Sequence, residues 1–298
     1  LLLGYSRTLA WWRFLDQPAL QPIAQQHGTL FEAIHRPYLH RNWSGKQRYR
    51  ALLGHYCLLG SLSELRLYDA HRHPVNLFSG EFEGRRLELA LHKDQRFCRE
   101  GELAMSLFVD GQRRLSLAFI LAEQEGRRAL YVGCLQGSRG DGCRETLAEC
   151  TRAMHGLRPR DLLLWALRLL GEAIHAQDIY AVSHRFQQYS SAHYIFGGGK
   201  KIQADYDTAW TEAGGLLLPT GFFHLPVKVQ ERCLSEVKSS KRAMYRRRYE
   251  MLQAMRHDFL AKLHRGQPGE VVIEAPCATA HSFPIKPVAP VSAIIAPF

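Results

Sequence analysis

The sequence predicts an α/β (α+β) fold: a mixed, mainly antiparallel sheet flanked by helices. Three observations carry this. Between Gly84 and Cys134 apolar residues alternate with a period of two, broken by the turn pairs Asp110-Gly111 and Glu125-Gly126. Helical period returns after Gly142, and Asp178-Ile179-Tyr180-Ala181-Val182-Ser183 then reads as a buried strand. A meander followed by helices and another strand sets helices against a mixed sheet.

The first 75 residues read as helical and irregular. Leu9 to Leu15 and Pro22 to Ile34 are helix candidates, the second opened by a proline near its first turn. Tyr49, Leu52, Leu53, Tyr56 and Leu59 share one helical face, and Ser44 is placed to cap that helix. In the meander, Leu87, Leu89 and Leu91 alternate, then Leu103, Met105, Leu107 and Val109, then Leu115, Leu117, Phe119 and Leu121, then Leu130, Val132 and Cys134. Ala104, Ser106, Phe108, Ala118 and Ile120 on the other face are not strongly polar, so both faces should be covered. Arg144 to Met154 is a short helix halted at His155-Gly156. Pro159 opens a stronger one whose apolar side holds Leu162, Leu163, Trp165, Leu169, Leu170 and Ile174. Val237 to Arg265 is a long basic amphipathic helix with Tyr245, Tyr249, Leu252, Met255, Phe259 and Leu263 at a 3–4 rhythm.

The expected organisation is therefore a helical region (1–75), a mixed-sheet core (76–235), a basic helix packed on or beside it (236–265) and a Pro-rich mobile tail (266–298). Of the 298 residues 46% are hydrophobic and 22% charged, which excludes wholesale disorder. No apolar run approaches the ~18 residues of a membrane-spanning helix. The net charge is +11. The seven cysteines show no C-x-x-C pair or regular spacing, so a reducing compartment is expected and no metal is. The chain begins Leu1-Leu2-Leu3-Gly4 without a methionine, so a longer gene product is expected.

Leu135-Gln136-Gly137-Ser138-Arg139-Gly140-Asp141-Gly142 is the leading chemical candidate. Three glycines between a strand and a helix let backbone N–H groups approach phosphate oxygens, and Arg139 adds a charge-assisted contact. The loop lacks the Gly-Lys-Ser/Thr of a Walker A motif, and a turn with no ligand is the alternative. Arg158 and Arg160 flank a helix start, where the dipole already favours an anion; pointing into water is the other reading. No G-x-S-x-G elbow accompanies Ser183-His184 or Ser190-Ser191, which disfavours a triad hydrolase. The basic helix fits an anionic membrane surface through Arg242, Arg246, Arg247 and Arg248. It equally fits a docked helix with solvated charges.

Several segments carry a resemblance. These are Asn42-Trp43-Ser44, Leu135-Gln136-Gly137, Gly156-Leu157-Arg158-Pro159, Tyr206-Asp207 with Trp210 and Glu212, Leu225-Pro226, and Lys241-Arg242-Ala243-Met244-Tyr245-Arg246-Arg247-Arg248. In this order, over residues 5 to 260, the sequence resembles the VirK/YbjX family of Gram-negative bacterial proteins. The resemblance implies a role in cell-envelope maintenance, virulence and tolerance of cationic antimicrobial peptides, and it carries over no reaction or catalytic residue. The meander, glycine loop, Arg158-Pro159-Arg160-Asp161, Ile179-Tyr180-Ala181-Val182 and Gly221-Phe222-Phe223-His224 are also similar to the acyl-CoA-binding core of GCN5-related acyltransferases.

That second likeness implies acyl or aminoacyl transfer with acyl-CoA or another acyl donor. Gln136, Gly137, Arg139, Gly140, Gly142 and Arg158 would hold the donor, and Glu212, Tyr206 or His184 would handle the acceptor's proton. The alternative is a non-enzymatic protein of the envelope stress response that binds a membrane surface or envelope component. Nucleic-acid binding has only charge behind it and is not expected. The expected location is cytoplasmic, extending to the periphery of the inner membrane.

Overall fold

The computed structural model describes residues 2–138, 142–190, 206–229, 231–264 and 271–276. It opens with helices α1 (Leu2–Leu15), α2 (Gln21–Gln26), α3 (Gly45–Ser61) and α4 (Leu67–Arg72). The expected helix over Pro22 to Ile34 is much shorter: α2 stops at Gln26, and Gly28–Leu30 continues as one 3₁₀ turn. Trp11 of α1 is fully buried and donates its indole N–H to the Leu30 carbonyl at 2.8 Å, which anchors that turn. Ser44 caps α3 in a reciprocal box with Gln47, as the sequence anticipates.

Five antiparallel strands follow: β1 (Val75–Phe82), β2 (Arg85–His92), β3 (Leu103–Val109), β4 (Gln112–Gln124) and β5 (Arg127–Gly137). The turn pairs Glu83-Gly84, Asp110-Gly111 and Glu125-Gly126 all have positive φ at both residues, the backbone that two-residue hairpins need. Helices α5 (Cys143–Ala153) and α6 (Pro159–Ala173) then lead into β6 (Ala176–Val182), which pairs parallel to β5. Next come α7 (Tyr206–Glu212), β7 (Leu216–Leu217) and β8 (Phe222–Leu225). β8 inserts between β6 and β7, giving one eight-stranded mixed sheet in the order β1-β2-β3-β4-β5-β6-β8-β7.

Both faces of this sheet are buried. One carries Leu89, Leu91, Met105, Leu107 and Leu117; the other carries Ala90, Ala104, Ser106, Ser116, Ala118 and Cys134. The basic helix, α8 (Ser239–Leu263), turns Leu252, Met255, Phe259 and Leu263 into the core and lies against β1. Most of the expected tail lies outside the described residues. Within 271–276, Glu274 exchanges two hydrogen bonds with the Gln17 side chain, at 2.8 and 3.0 Å, and Ile273 packs beside Gly60 of α3.

The N-terminal helices position the loop that precedes β3. Beyond Phe119 the β3-facing edge of β4 is open, and α3 closes it: the Leu121 N–H donates to His55 Nδ1 at 3.0 Å. Glu102, 1% exposed, accepts from Tyr38 at 3.0 Å, from Tyr56 at 2.5 Å and from Lys93 at 2.5 Å. The Arg99 carbonyl accepts the Leu39 N–H at 2.7 Å. Residues 99–102 are thus tied to the N-terminal region from both ends.

Candidate functional site

Strand β5 carries the isolated glycine that a strand tolerates badly unless something must approach its backbone. Between the pairs Ala118↔Cys134 and Phe119↔Val132 the register slips, so Gly133 is the extra residue of a β-bulge. The main chain of Glu100 lies against it: a Cβ at position 133 would stand 1.9 Å from the Glu100 carbonyl oxygen. The next residue does the same to the neighbouring strand, since a Cβ on Gly101 would stand 2.4 Å from the Phe119 nitrogen. Bulge and loop are fitted backbone to backbone.

At the same level β5 and β6 part. Their parallel pairing ends at Val132↔Ala181, while β5 runs on to Gly137 paired, among the described residues, with β4, and β6 continues beside β8. The side chain of Gln136 enters from a row that crosses the sheet as Ala90, Ser106, Ser116 and Gln136. Along that row Arg113 donates to Ser116 at 3.0 Å, Ser116 meets Ser106 at 2.6 Å, and Ser106 meets His92 Nε2 at 2.8 Å. Gln136 Nε2 donates to Glu100 Oε1 at 3.4 Å.

Glu100 is the centre of the arrangement. It is 3% exposed, and burial pushes its carboxyl up from 4.5 to about 7 against the opposing pull of the Tyr189 hydroxyl, the Arg99 N–H and the Gln136 amide. Its Oε2 has no hydrogen-bond partner among the described residues, while the buried Tyr206 hydroxyl interacts with the Gln136 amide and the Tyr189 hydroxyl with the Gln188 side chain. Burial likewise drives the Tyr189 and Tyr206 phenols upward, so both stay protonated. A carboxyl poised near neutrality, with one oxygen short of a partner, can take a proton from a substrate and hand it on.

The expected site residues fall into three places. Tyr206 and His184 come together, with rings 6.2 Å apart beside this cluster, and the His184 N–H is held by Asp207 at 2.7 Å. Glu212 stands elsewhere, paired with Arg158 at 2.8 Å and with Arg160 at the start of α6. Arg158 also binds Asp161 at 2.8 Å. Of the glycine loop, Gln136 and Gly137 close β5 and Gly142 caps α5 with φ 75°. The Ser138 N–H is taken by the Arg114 carbonyl at 2.8 Å, and Arg139 and Gly140 lie outside the described residues.

On α8, Arg246 and Arg247 are exposed. Arg242 donates to the Val237 carbonyl and Arg248 to that of His155. Among the described residues no cluster of His, Cys, Asp or Glu suits a metal ion, and no helix is long and apolar enough to cross a membrane.

Glu100 escapes the sequence reading because it sits between elements, with no motif around it. The usable signal is Gly133, a lone glycine inside an otherwise apolar strand pattern, which marks a bulge or a close backbone approach.

Comparison with known proteins places the chain among relatives. A family model described as "Protein of unknown function (DUF535)" matches residues 1–261. The chain is 32% identical to the uncharacterized protein YbjX of Escherichia coli over 254 residues, 84% of this chain and 76% of that protein. It is 31% identical to two uncharacterized proteins of Haemophilus influenzae, over 150 and 129 residues that span 47% and 42% of their lengths. No solved structure matches. The chain belongs to the DUF535 family, the VirK/YbjX group that its motifs resemble.

Proposed function

We propose that the protein is an acyl- or aminoacyl-transferase of cell-envelope maintenance, with its reaction centre where β5 and β6 part and Glu100 as general base. One observation carries the reading: a buried carboxyl with a pKa of about 7 is seated on the Gly133 bulge at the point where the two parallel strands separate. The strand order, with β8 inserted between β6 and β7, supports the acyltransferase likeness. The support for a role in virulence and tolerance of cationic antimicrobial peptides is the family resemblance.

The chemistry is a balanced transfer. An acceptor amine or hydroxyl gives its proton to Glu100 Oε2 as its lone pair forms a bond to the donor's carbonyl carbon. The bond from that carbon to the leaving group, the thiolate of an acyl thioester such as acyl-CoA, breaks, and the proton passes on to the departing sulfur. Among the described residues, peptide groups of β5 beyond Val132 have no strand partner on the β6 side, and their N–H groups can stabilise the oxyanion. Tyr189 and Gln136 orient the carboxyl. Because the Ser138 amide is engaged, the reading rests on Glu100 rather than on the glycine loop.

The test is turnover of a panel of acyl-CoA thioesters with amine and hydroxyl acceptors. Glu100→Gln, which keeps shape and backbone, is expected to cut kcat by about 100-fold or more. Unchanged turnover in that variant, or no turnover with any thioester, contradicts the assignment.

A second reading is a peripheral membrane-surface protein, favoured by the exposed Arg246 and Arg247 on a chain of net charge +11. Co-sedimentation with anionic but not neutral vesicles, weakened in Arg246→Glu/Arg247→Glu, supports it; equal pelleting with both removes it.

A further inference from the structure

A cavity of about 170 Å³ lies between α6 and α8 and shares no residue with the Glu100 cluster. Leu157, Trp165, Leu169, Val227 and Leu252 form its apolar wall. Four arginines line it, Arg168, Arg232, Arg248 and Arg256, of which Arg168 and Arg248 are buried, 7% and 6% exposed. Arg248 donates to the His155 carbonyl at 2.8 and 3.1 Å and lies 4.5 Å over the Tyr245 ring, with no carboxylate bonded to it among the described residues. Arg168 donates to the carbonyls of Pro226 at 3.1 Å and Ala213 at 3.0 Å. Burial lowers its pKa to about 10.

Of the carboxylates that line it, Glu172 is bound to Arg256 at 2.8 Å, and Asp161 is bound to Arg158 at 2.8 Å with its charge also acting on Arg168. A buried guanidinium with no carboxylate bonded to it among the described residues, set beside an apolar space, makes an environment that neither a hydrocarbon nor a simple anion satisfies alone. A dry cavity of about 150 Å³ admits a benzene ring, so the volume here suits one small ring or a short chain.

We infer that this cavity is a binding site for a small amphipathic carboxylate, its apolar body against Trp165, Leu169 and Leu252 and its charged end toward Arg248. A guanidinium meets a carboxylate through two parallel N–H···O bonds, a geometry open to neither an alcohol nor an amine. The site is independent of the transferase assignment.

The probe is benzoate, titrated into the full chain by ligand-observed NMR, with benzyl alcohol and benzylamine as size-matched controls. A saturable Kd of about 1 mM or tighter is expected for benzoate, roughly tenfold tighter than for benzyl alcohol. Val229→Phe, which fills the space from the half-buried connecting segment, should abolish binding with the Tm unchanged. Arg248→Met should reduce benzoate affinity to that of the alcohol. Absence of saturation, equal affinity for benzoate and benzyl alcohol, or undiminished binding in Val229→Phe each overturns the inference.

Discussion

The carbonyl oxygen of Glu100 lies where a side chain on Gly133 would begin, 1.9 Å from the ideal Cβ position. A glycine inside a strand ordinarily weakens it, through backbone entropy and lost packing. Here the missing side chain lets the loop before β3 rest on the bulge and fixes the carboxyl at the parting of β5 and β6.

The first prediction is that Gly133→Ala destabilises the protein by about 2–4 kcal/mol, since rigid backbone rather than a flexible side-chain end must move. Gly137→Ala, on the same strand with its nearest neighbour 3.7 Å away, should change stability by less than about 1 kcal/mol. Paired denaturant titrations compare them; equal losses would mean that the contact is not what position 133 requires.

Glu100 links the proposed activity to stability. Its folded pKa of about 7 exceeds the unfolded value of 4.5, so the folded state holds the extra proton between those limits. Stability from this group is present below pH 4.5 and declines as pH rises through about 7. Glu100→Gln should therefore be more stable than the parent at pH 8, by up to about 3 kcal/mol, while losing the proposed transferase activity. Urea titrations of both proteins at pH 5 and pH 8 check this, and a parent as stable as the variant at pH 8 contradicts it.

The buried histidines of α3 and α4 act in the opposite sense. The Leu121 N–H donates to His55 Nδ1, so the His55 proton sits on Nε2 and is given to His71 Nε2 at 2.9 Å; His71 in turn donates from Nδ1 to the Leu67 carbonyl at 2.8 Å. Both rings are neutral, and burial holds both well below 6.5, with Lys93 adding to the effect and Glu102 opposing it at His71. The unfolded chain then binds more protons as pH falls, so this contribution is full above pH 6.5 and is lost below it. In the Glu100→Gln background, which removes the opposing titration, the pair should make stability fall by about 2.5 kcal/mol per pH unit near pH 5.5, close to two protons' worth. A flat profile there would mean that the pair is not buried neutral.

Lys93 and Glu102 are 5% and 1% exposed at their side chains, so breaking their pair leaves a charge in the core. Lys93→Met should cost about 3–5 kcal/mol, and Lys93→Met/Glu102→Gln should recover much of it. Thermal unfolding of the single and double variants checks this. Equal losses in both would assign the cost to packing instead.

Much of the fold is legible in the chain. The β2–β5 meander follows from strict alternation and from Asp110-Gly111 and Glu125-Gly126; Ser44 and Pro159 mark the starts of α3 and α6. Strand β1 escapes because Ser79, Gly80 and Glu81 interrupt its apolar character, although Glu83-Gly84 is the same turn signal as the other two. The insertion of β8 between β6 and β7 is a long-range pairing of a four-residue strand, for which local periodicity carries no information. Glu212 is drawn to Arg158 and Arg160 by an attraction between residues far apart in the chain. Glu100 becomes visible only when the bulge at Gly133 is seen to lie beneath it.

Glu100 places at the parting of β5 and β6 a carboxyl that gives up its proton near neutrality. Infrared difference spectroscopy of the protein against Glu100→Gln, followed through a pH titration, measures that proton directly. A protonated-carboxyl band, absent from the variant, is expected to disappear with a midpoint at about pH 7. A band already gone near pH 4.5, the ordinary value, would contradict it.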